Sequence, residues 1–559
     1  MSSPCIREAS DACFHGCSPF LSSAPPDPSS RTPASAFRSD FAMSATSSLH
    51  PNATFTNHES LSSLQESFCS FAGAFPQFTE TEQADRIREQ EYHHLSSTEH
   101  VCLDYSTGHG LFSYSQQCIA GSVPSSSSHP PVLSSTTTYL EISYKQVNLR
   151  AQLAYGGLES ELELRTRKRI TRFMNISEDD YAMVFTSNQP SAFRIVADSY
   201  PFRSHRNLLT VYDHESEAVE SMIENSRKRG ARVKSAEFSW PRLRIRSEKL
   251  KNMLVGKSSK KSSKGLFVFP LQSRVSGAPY SYSWMGMAQE NGWHVLLDAC
   301  ALGPKDMETL GLSLFKPDFL ICSFYKVFGD NPSGFACLFV NRSSISVLQS
   351  SDPSLSVGIA SLIPSSTTRL EEPIASSEIV ELETTSSPEI EFRALDHADE
   401  LGLILINTRG RCLINWLVNA LLCLRHPDSE DYSRSLVRIY GPKVSFERGP
   451  AVAFNLFDWK GEKVDPKLVQ KLADRFNITL SCGFLRHVWF HDETQFDETE
   501  ENRGGHISRI CVVTASIRFL NTFEDVYKVW AFTARFLDAD FVEKEKWRYT
   551  ALNQQMIEV

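Results

Sequence analysis

The sequence has few of the features that mark a nucleic-acid binder, a membrane protein or a disulfide-rich secreted protein. Its 559 residues carry a formal net charge of −9, whereas a general nucleic-acid binder has a basic surface. No uninterrupted apolar run reaches the roughly 18 residues that a membrane span requires. The 13 cysteines form no Cys-x-x-Cys pair, which argues against a disulfide framework or a zinc site. We therefore expect a cytoplasmic protein in a reducing environment, with no bound metal, nucleic acid or membrane.

Composition divides the chain into four parts. Residues 1–75 are rich in Ser, Pro and Ala and bury too little apolar surface to order themselves, so we predict a disordered tail. Because this tail is Ser-rich, a plastid-targeting role stays open. Residues 342–390 are rich in Ser, Thr, Pro and Glu and predict an inserted surface loop. The ordered parts are then a large domain at 76–341 and a smaller α+β domain at 391–559.

Short apolar runs alternate with helical patterns through the large domain. Strands alternating with helices predict an α/β fold with a mainly parallel sheet covered on both faces. Ligands of such sheets bind at the carboxyl ends of the strands. The predicted strands are Ala182–Ser187, Leu208–Tyr212, Arg232–Phe238, Leu266–Pro270, His294–Asp298, Asp318–Phe324 and Phe335–Val340.

A lysine and an aspartate stand at the ends of two of these runs. Lys326 follows the run Asp318–Phe324, and Asp298 ends the run His294–Asp298. The neutral amine of a partly desolvated lysine can form a Schiff base with a carbonyl compound, and an aspartate can keep a pyridine nitrogen protonated. Lys326 alone is open to a structural interpretation, but the pair predicts pyridoxal 5′-phosphate as cofactor.

Two further features fall at the same predicted edge of the sheet. Ser187 and Asn188 lie where a strand runs into a helix start, which suits a phosphate group but equally suits a plain helix cap. His214 directly follows the run Leu208–Tyr212, so its imidazole can stack on an aromatic cofactor and move protons. An ordinary loop histidine is the alternative.

Three hydroxyl side chains complete the predicted site. Ser323 and Tyr325 flank Lys326 closely and can reach phosphate oxygens, although Tyr325 can equally serve packing. Ser276 lies in the segment Gln272–Gly277, which follows the strand Leu266–Pro270 and therefore belongs to the same edge. Its hydroxyl contacts the cofactor or forms a turn.

Read together, these stretches resemble the class V branch of pyridoxal-phosphate enzymes. They look most like the aminotransferase-like, cysteine desulfurase domain of molybdenum cofactor sulfurase and its plant relatives. The resemblance implies a fold type I architecture with a mostly parallel seven-stranded sheet, a smaller C-terminal domain and a homodimer. It runs from about Val101 to Leu537 and rests on VCLDYSTGHGLFSYS, MVFTSNQPSAFRIVADSYPF, HVLLDACALGP, FLICSFYKVFGDNPSGFACLFV, GPAVAFNLFDWKGE and SIRFLNTFEDV.

The resemblance also implies an activity, namely transfer of sulfur from L-cysteine to an acceptor. Lys326 would carry the cofactor, Asp298 would meet its pyridine nitrogen and His214 would stack on its ring. The residues Ser187, Asn188 and Ser323 would surround its phosphate. Cys482 matches one cysteine of the family's sulfur-carrying loop, whereas the second has become Phe484. Cys482 is therefore a candidate sulfur acceptor or a packed thiol.

Some positions depart from the family pattern and keep other functions open. Asn188 and Pro190 stand where the family usually has Gly and Thr, and proline offers neither an N–H group nor a hydroxyl. Thr514 falls near the position of an arginine that would bind an amino acid's carboxylate. The alternatives are another pyridoxal-phosphate lyase or transaminase, and a catalytically impaired member with a scaffold or regulatory role.

Overall fold

A computed structural model describes most of the chain from Thr54 onward. The described residues are 54–92, 100–103, 140–256, 265–300, 315–323, 335–349, 358–364, 393–427, 435–442, 448–490, 502–503, 506–507 and 509–557. Residues 1–53 of the predicted tail lie outside this description, as do Tyr325 and Lys326.

The described part of the chain forms twelve α-helices, one of which is broken by a kink at Gly402, and twenty β-strands. The helices are α1 (Leu64–Ala74), α2 (Glu82–Glu91), α3 (Leu149–Tyr155), α4 (Glu161–Phe173), α5 (Gln189–Ser199), α6 (Glu217–Lys228), α7 (Ser247–Val255), α8 (Ser283–Glu290), α9 (Arg393–Leu422), α10 (Pro466–Arg475), α11 (Phe523–Ala534) and α12 (Ala539–Ile557). Of these described helices, none has both the length and the apolar content needed to cross a bilayer.

The strands fall into one large sheet, one smaller sheet and several short pairs. They are β1 (Val101–Cys102), β2 (Leu140–Lys145), β3 (Tyr181–Thr186), β4 (Asn207–Thr210), β5 (Arg232–Ser235), β6 (Phe238–Ser239), β7 (Arg244–Ile245), β8 (Gly265–Pro270), β9 (Trp293–Asp298), β10 (Phe319–Ser323), β11 (Ala336–Asn341), β12 (Ile359–Pro364), β13 (Val437–Tyr440), β14 (Ala451–Leu456), β15 (Ile478–Thr479), β16 (Ser481–Leu485), β17 (Val488–Trp489), β18 (Asn502–Arg503), β19 (His506–Ile507) and β20 (Ile510–Ser516).

The large sheet has nine described strands in the order β2-β12-β3-β11-β10-β9-β8-β4-β5. Strands β10, β9, β8, β4 and β5 pair in parallel, whereas β11 and β12 are antiparallel to both of their neighbours. Seven of the nine strands therefore run in one direction. The seven predicted strands correspond to β3, β4, β5, β8, β9, β10 and β11, of which only β11 is reversed, so the mostly parallel sheet is confirmed. The sheet has two more strands, β2 and β12, than the seven expected.

Both faces of this sheet are covered, as the sequence predicts. All six residues of β8 are buried, which is typical of a strand in a sheet with helices on each side. Side chains alternate between the faces of a strand. Leu266 and Val268 accordingly belong to one hydrophobic core, and Phe267 and Phe269 belong to another on the opposite face.

The smaller sheet is antiparallel and has the order β13-β14-β20-β16. Helix α10 packs against its strands β16 and β20. All six residues of β14 are buried, which makes this strand the centre of the C-terminal core. The arrangement matches the smaller C-terminal α+β unit expected from the sequence.

Order begins earlier in the chain than the composition predicts. Helix α1 lies inside the segment assigned to the disordered tail, and Ser63 and Glu66 form a capping box at its start. Phe71 of this helix is fully buried and lies 4.6 Å from the ring of Phe523. Strand β12 likewise lies inside the predicted 342–390 loop, where it pairs with β2 and β3. The Ser-rich average composition of these two segments gave no sign of either element.

Candidate functional site

Asp298 is the last residue of β9 and lies at the carboxyl edge of the parallel strands. It is aligned with Pro270 of β8 and with Ile321 of β10, so the ends of three strands meet there. The side chain is 5% exposed. One carboxylate oxygen, Oδ2, accepts a hydrogen bond of 2.9 Å from the Tyr212 hydroxyl, and Oδ1 accepts one of 2.9 Å from the Cys300 backbone N–H.

Tyr212 is a site residue that the sequence reasoning did not single out. Burial, followed by the negative charge of Asp298, raises the pKa of the Tyr212 phenol well above its ordinary value. The phenol therefore stays protonated and donates to the carboxylate. Its position at the end of a strand-like run was the one signal in the sequence, and aromatic residues at strand ends are more often part of the core.

Asp213 connects three side chains of the predicted edge. Its Oδ1 accepts hydrogen bonds of 2.7 Å from His214 Nδ1 and 2.7 Å from Ser273 Oγ, and its Oδ2 accepts one of 2.6 Å from Ser276 Oγ. Burial raises the pKa of the Asp213 carboxyl, but the hydrogen bonds from these three partners outweigh that effect and leave the pKa below its usual value. Asp213 therefore stays an ionised carboxylate in a fully buried position.

This carboxylate fixes the orientation of the His214 ring. Because a carboxylate only accepts hydrogen bonds, Nδ1 of His214 carries the proton of their contact, and Nε2 is the ring atom that can accept a proton. The main chain on either side of the ring is bonded to the smaller sheet. Glu215 N–H donates to Phe484 O over 2.8 Å, and Arg486 N–H donates to Asp213 O over 2.8 Å.

Ser276 lies at the predicted edge, and its hydroxyl is directed to Asp213. The next residue, Gly277, has a φ of 69°. A Cβ atom added at Gly277 would lie 2.3 Å from the carbonyl oxygen of Ala451, so only glycine allows the smaller sheet to approach this closely. The Gly449 N–H also donates to Gly277 O over 2.7 Å. Ser276 thus lies where the two sheets meet.

Ser187 and Asn188 follow β3 at the same edge, where they serve the start of α5. Asn188 Oδ1 accepts a hydrogen bond of 2.9 Å from the Ser191 N–H and caps the helix. The Ser187 N–H donates to Gly358 O over 3.2 Å, and the Ser187 and Ser191 hydroxyls lie 2.8 Å apart. With Pro190 lacking an N–H group, several donors expected around a phosphate are absent or already used.

Ser323 ends β10 at this edge and is half-buried. Ala336 of β11 is aligned with Ser323 on one side and with Thr186 on the other, so the ends of β10 and β3 lie on either side of β11. The structure thus brings Ser323, Asp298 and the Ser187–Asn188 segment to one edge. Tyr325 and Lys326 lie outside the described residues, and their roles stay predictions.

Cys482 lies on β16 and is not brought to this edge. A Cβ atom added at its neighbour Gly483 would lie 3.1 Å from Val275, so position 483 faces the segment that carries Ser276. Because side chains alternate along a strand, Cys482 is on the opposite face. There its Sγ donates a hydrogen bond of 3.3 Å to the Pro466 carbonyl.

The donor set around Asp298 fits a protonated pyridine nitrogen. Its two oxygens each accept one described hydrogen bond, and a carboxylate has about four acceptor positions. The phosphate end fits less closely, because among the described residues Asn188 acts as a helix cap and the Ser187 and Ser191 hydroxyls contact each other. The match to pyridoxal 5′-phosphate therefore rests on the part of the site that would hold the pyridine ring.

Comparison with known proteins identifies the class of fold first. No family model matches the chain. The apo structure of a cysteine desulfurase from Thermococcus onnurineus NA1 superposes with a TM-score of 0.51 and 15% identity, covering 82% of this chain and 98% of that protein. The fold is therefore that of a cysteine desulfurase, and the predicted fold type I architecture is confirmed.

Sequence comparison then gives the particular relatives, which are molybdenum cofactor sulfurases. The protein from Bos taurus is 26% identical over 384 residues, covering 62% of this chain and 40% of its own length. The protein from Solanum lycopersicum is 23% identical over 516 residues, covering 82% of this chain and 57% of its own length. This confirms the resemblance seen in the motifs, although animal relatives match as well as plant ones. The chain spans about half the length of these relatives.

Proposed function

We propose that this protein is a pyridoxal-phosphate-dependent enzyme that moves sulfur from L-cysteine to an acceptor. The observation that carries the proposal is the pair of buried carboxylates at one edge of the parallel strands. Asp298 is held by Tyr212, and Asp213 holds His214. An electron-accepting ring needs an acid under its nitrogen and a proton carrier beside it, and these groups supply both.

Each residue of the proposed site has its own role in the reaction. Bound pyridoxal 5′-phosphate supplies an electron-accepting ring. Asp298 keeps the pyridine nitrogen protonated, Lys326 holds the cofactor covalently and moves protons of the substrate, and His214 presents Nε2 beside the ring. Asp213 is a positioning residue, because it acts through the orientation of His214.

Around the phosphate we propose the hydroxyls of Ser187, Ser323 and Tyr325. Asn188 contributes by capping α5, and Ser276 contributes by holding Asp213 rather than by touching the cofactor. Because the described backbone donors here are few, we expect cofactor affinity to rest on Lys326 and on the ring contacts.

The direction of the Cys482 side chain favours a second candidate function. Its thiol lies on the face of β16 away from Ser276, so direct sulfur transfer to it requires a rearrangement of the smaller sheet. A lyase or transaminase acting on an amino acid needs no such thiol. Cys482 therefore remains the proposed acceptor only for the sulfurtransferase reaction.

We further propose a cytoplasmic homodimer. The nine described cysteines are all free, as expected in a reducing compartment. Tyr155 and Leu158 are 90% and 98% exposed, and the Leu158 carbonyl accepts from Lys145 at the end of the edge strand β2. An exposed leucine beside a sheet edge, with an exposed tyrosine three residues before it in the sequence, supports association of two copies.

The experiment that tests the function is reconstitution with pyridoxal 5′-phosphate, followed by addition of L-cysteine. We expect a visible absorbance band that is lost in Lys326→Ala, and release of alanine. Lys316→Ala is the matched control, because this lysine precedes the other end of β10 and pairs with Asp180 over 2.9 Å at the surface. It should keep both the band and the activity.

Other outcomes separate the alternatives. A protein that binds the cofactor but gives the same turnover in Cys482→Ser, without releasing sulfur, supports the lyase or transaminase function. A protein that stays colourless after reconstitution contradicts the enzymatic proposal and supports the scaffold role.

A further inference from the structure

Two cysteines lie close together on the smaller sheet, and only one of them, Cys482, has been given a role above. Strands β16 and β20 are antiparallel, with Cys482 aligned to Val513 and Phe484 aligned to Cys511. Cys482 and Cys511 are therefore diagonal neighbours, and diagonal neighbours on one face are within reach of each other. Both thiols are free and half-buried.

The two thiols occupy the face of the sheet turned away from Ser276. On the opposite face, the hydroxyls of Ser481 and Thr514 lie 2.7 Å apart, and position 483 meets Val275. The alternation of side chains puts Cys482 and Cys511 together on the other side, beside the start of helix α10. They therefore face helix α10 rather than the cofactor edge.

Charged groups and a helix start surround the pair. Asp465 caps α10, and Cys482 Sγ donates to the carbonyl of Pro466, the first helical residue, over 3.3 Å. Lys463 and Lys467 are the cations that act on Cys511, and Asp465 is the opposing anion. A partly exposed thiol near cations and a helix start is the setting in which cysteines become nucleophilic.

The two thiols differ in their protonation: Cys511 is the nucleophile, and Cys482 is a proton donor in a hydrogen bond. Cys482 donates its single thiol proton to the Pro466 carbonyl and therefore stays protonated. The contact with Cys482 is the largest influence on Cys511 and lowers the pKa of its thiol, with Lys463 and Lys467 acting in the same direction. The same contact, followed by burial, raises the pKa of Cys482. Cys511 is accordingly the thiol that ionises, while Cys482 keeps its proton.

We propose that Cys511 and Cys482 form a thiol-exchange site for an electrophilic sulfur atom, brought by a low-molecular-weight persulfide or disulfide. The Cys511 thiolate attacks the outer sulfur of R–S–SH, a new S–S bond forms, and the R–S⁻ thiolate leaves with the electron pair of the broken bond. With a disulfide R–S–S–R, the same attack gives a mixed disulfide and R–S⁻. Neither step needs a further oxidant or reductant.

This proposal shares only Cys482, the candidate sulfur acceptor, with the function proposed above. It involves neither Lys326 nor the cofactor, and it assigns the reactive thiol to Cys511, which the sequence motifs did not mark. The two proposals can therefore fail separately.

The first experiment measures the rate of alkylation of each cysteine by iodoacetamide in the reduced full-length chain, over a series of pH values. Cys69 is exposed and serves as the reference thiol. We expect Cys511 to react faster than Cys69 at neutral pH, with a midpoint at lower pH. Equal rates, or a slower reaction at Cys511, would overturn the proposal.

Variants then test the role of the donor. Cys482→Ala should slow the reaction of Cys511 at neutral pH, by about tenfold for each unit by which its pKa rises. Cys482→Ser keeps a hydroxyl donor and should restore part of the rate. Cys423→Ala, another half-buried cysteine, is the matched control and should change nothing. If Cys482→Ala fails to fold, the comparison of the alkylation rates of Cys511 and Cys69 in the unmodified chain still tests the proposal.

The last experiment distinguishes the sources of sulfur. The chain is incubated with glutathione persulfide or with glutathione disulfide, and adducts are located by peptide mass spectrometry. Addition of one sulfur atom at Cys511 identifies a persulfide donor, and addition of one glutathionyl group identifies a disulfide donor. Adducts that appear on Cys69 and not on Cys511 would contradict the proposal.

Discussion

At the scale of single residues, Asp213 determines the geometry of the candidate site. The sequence predicted His214 and Ser276 as independent site residues, whereas the structure joins both to this one carboxylate. The types of residue were predictable because strand ends could be recognised. Their shared contact with Asp213 was not predictable, because Ser276 follows Asp213 by 63 positions and no local pattern encodes their contact.

The variant Asp213→Asn tests this arrangement. Removing a buried charge that accepts three hydrogen bonds should lower the free energy of unfolding by about 3 kcal/mol at neutral pH. The folded-state pKa of Asp213 lies below the unfolded value, so its contribution is complete above about pH 4 and is lost as the pH falls through the folded pKa. Urea unfolding at a series of pH values measures the difference.

The exposed Asp179 provides the matched control for this variant. Asp179→Asn should unfold like the unmodified chain at every pH. A stability difference between Asp213→Asn and the unmodified chain that stays constant from neutral to acid pH would contradict the assigned pKa direction.

At the scale of secondary-structure elements, local sequence signals predicted the strands but not the contacts between elements. The seven predicted strands were found because buried runs such as β8 are long, apolar and bounded by turns. The Asn188 side chain caps α5, which is one of the two roles that the sequence left open for it, and its phosphate role stays a prediction. The contact of Gly277 with Ala451 had no sequence signal, because a glycine in a loop is common.

Replacing Gly277 by alanine tests that contact. Gly156 is the matched control because its φ of 70° is almost the same as the 69° of Gly277, yet a Cβ there meets no atom within 4 Å. Gly156→Ala should cost about 1 to 3 kcal/mol through backbone strain alone, because its φ of 70° and ψ of −162° lie in a region that is essentially restricted to glycine. Gly277→Ala should cost about 2 kcal/mol more, because a backbone carbonyl must move. Equal losses of unfolding free energy in the two variants, measured by urea unfolding, would show that the close approach does not contribute to stability.

At the scale of the whole molecule, residues near the start of the described chain are bound to its end. Arg88 of α2 donates from Nη1 to Asp525 Oδ2 and to Leu520 O, each over 2.7 Å, and the pair is buried. Arg409 similarly joins α9 to Asp85 and to the Asn521 carbonyl. Such contacts span hundreds of residues, so composition could not reveal that α1 and α2 belong to the folded core.

The variant Arg88→Met tests whether this connection supports the whole fold. Leaving Asp525 buried without its guanidinium partner should lower the free energy of unfolding by about 3 to 5 kcal/mol. Lys228→Met is the control, since Lys228 and Glu224 are 67% and 69% exposed and their pair should leave the unfolding midpoint unchanged. Similar midpoints for the two variants would mean that the N-terminal helices are only loosely attached.

The main-chain hydrogen bonds between β16 and the His214 loop restrict how the smaller sheet can move. Glu215 and Arg486 each donate across this boundary, so the imidazole is tied to both sheets at once. A hinge motion of the smaller sheet must either carry the imidazole with it or break two backbone bonds. In the proposed enzyme, opening to admit a substrate would then also displace His214, the proposed proton carrier, so that the open form would be inactive.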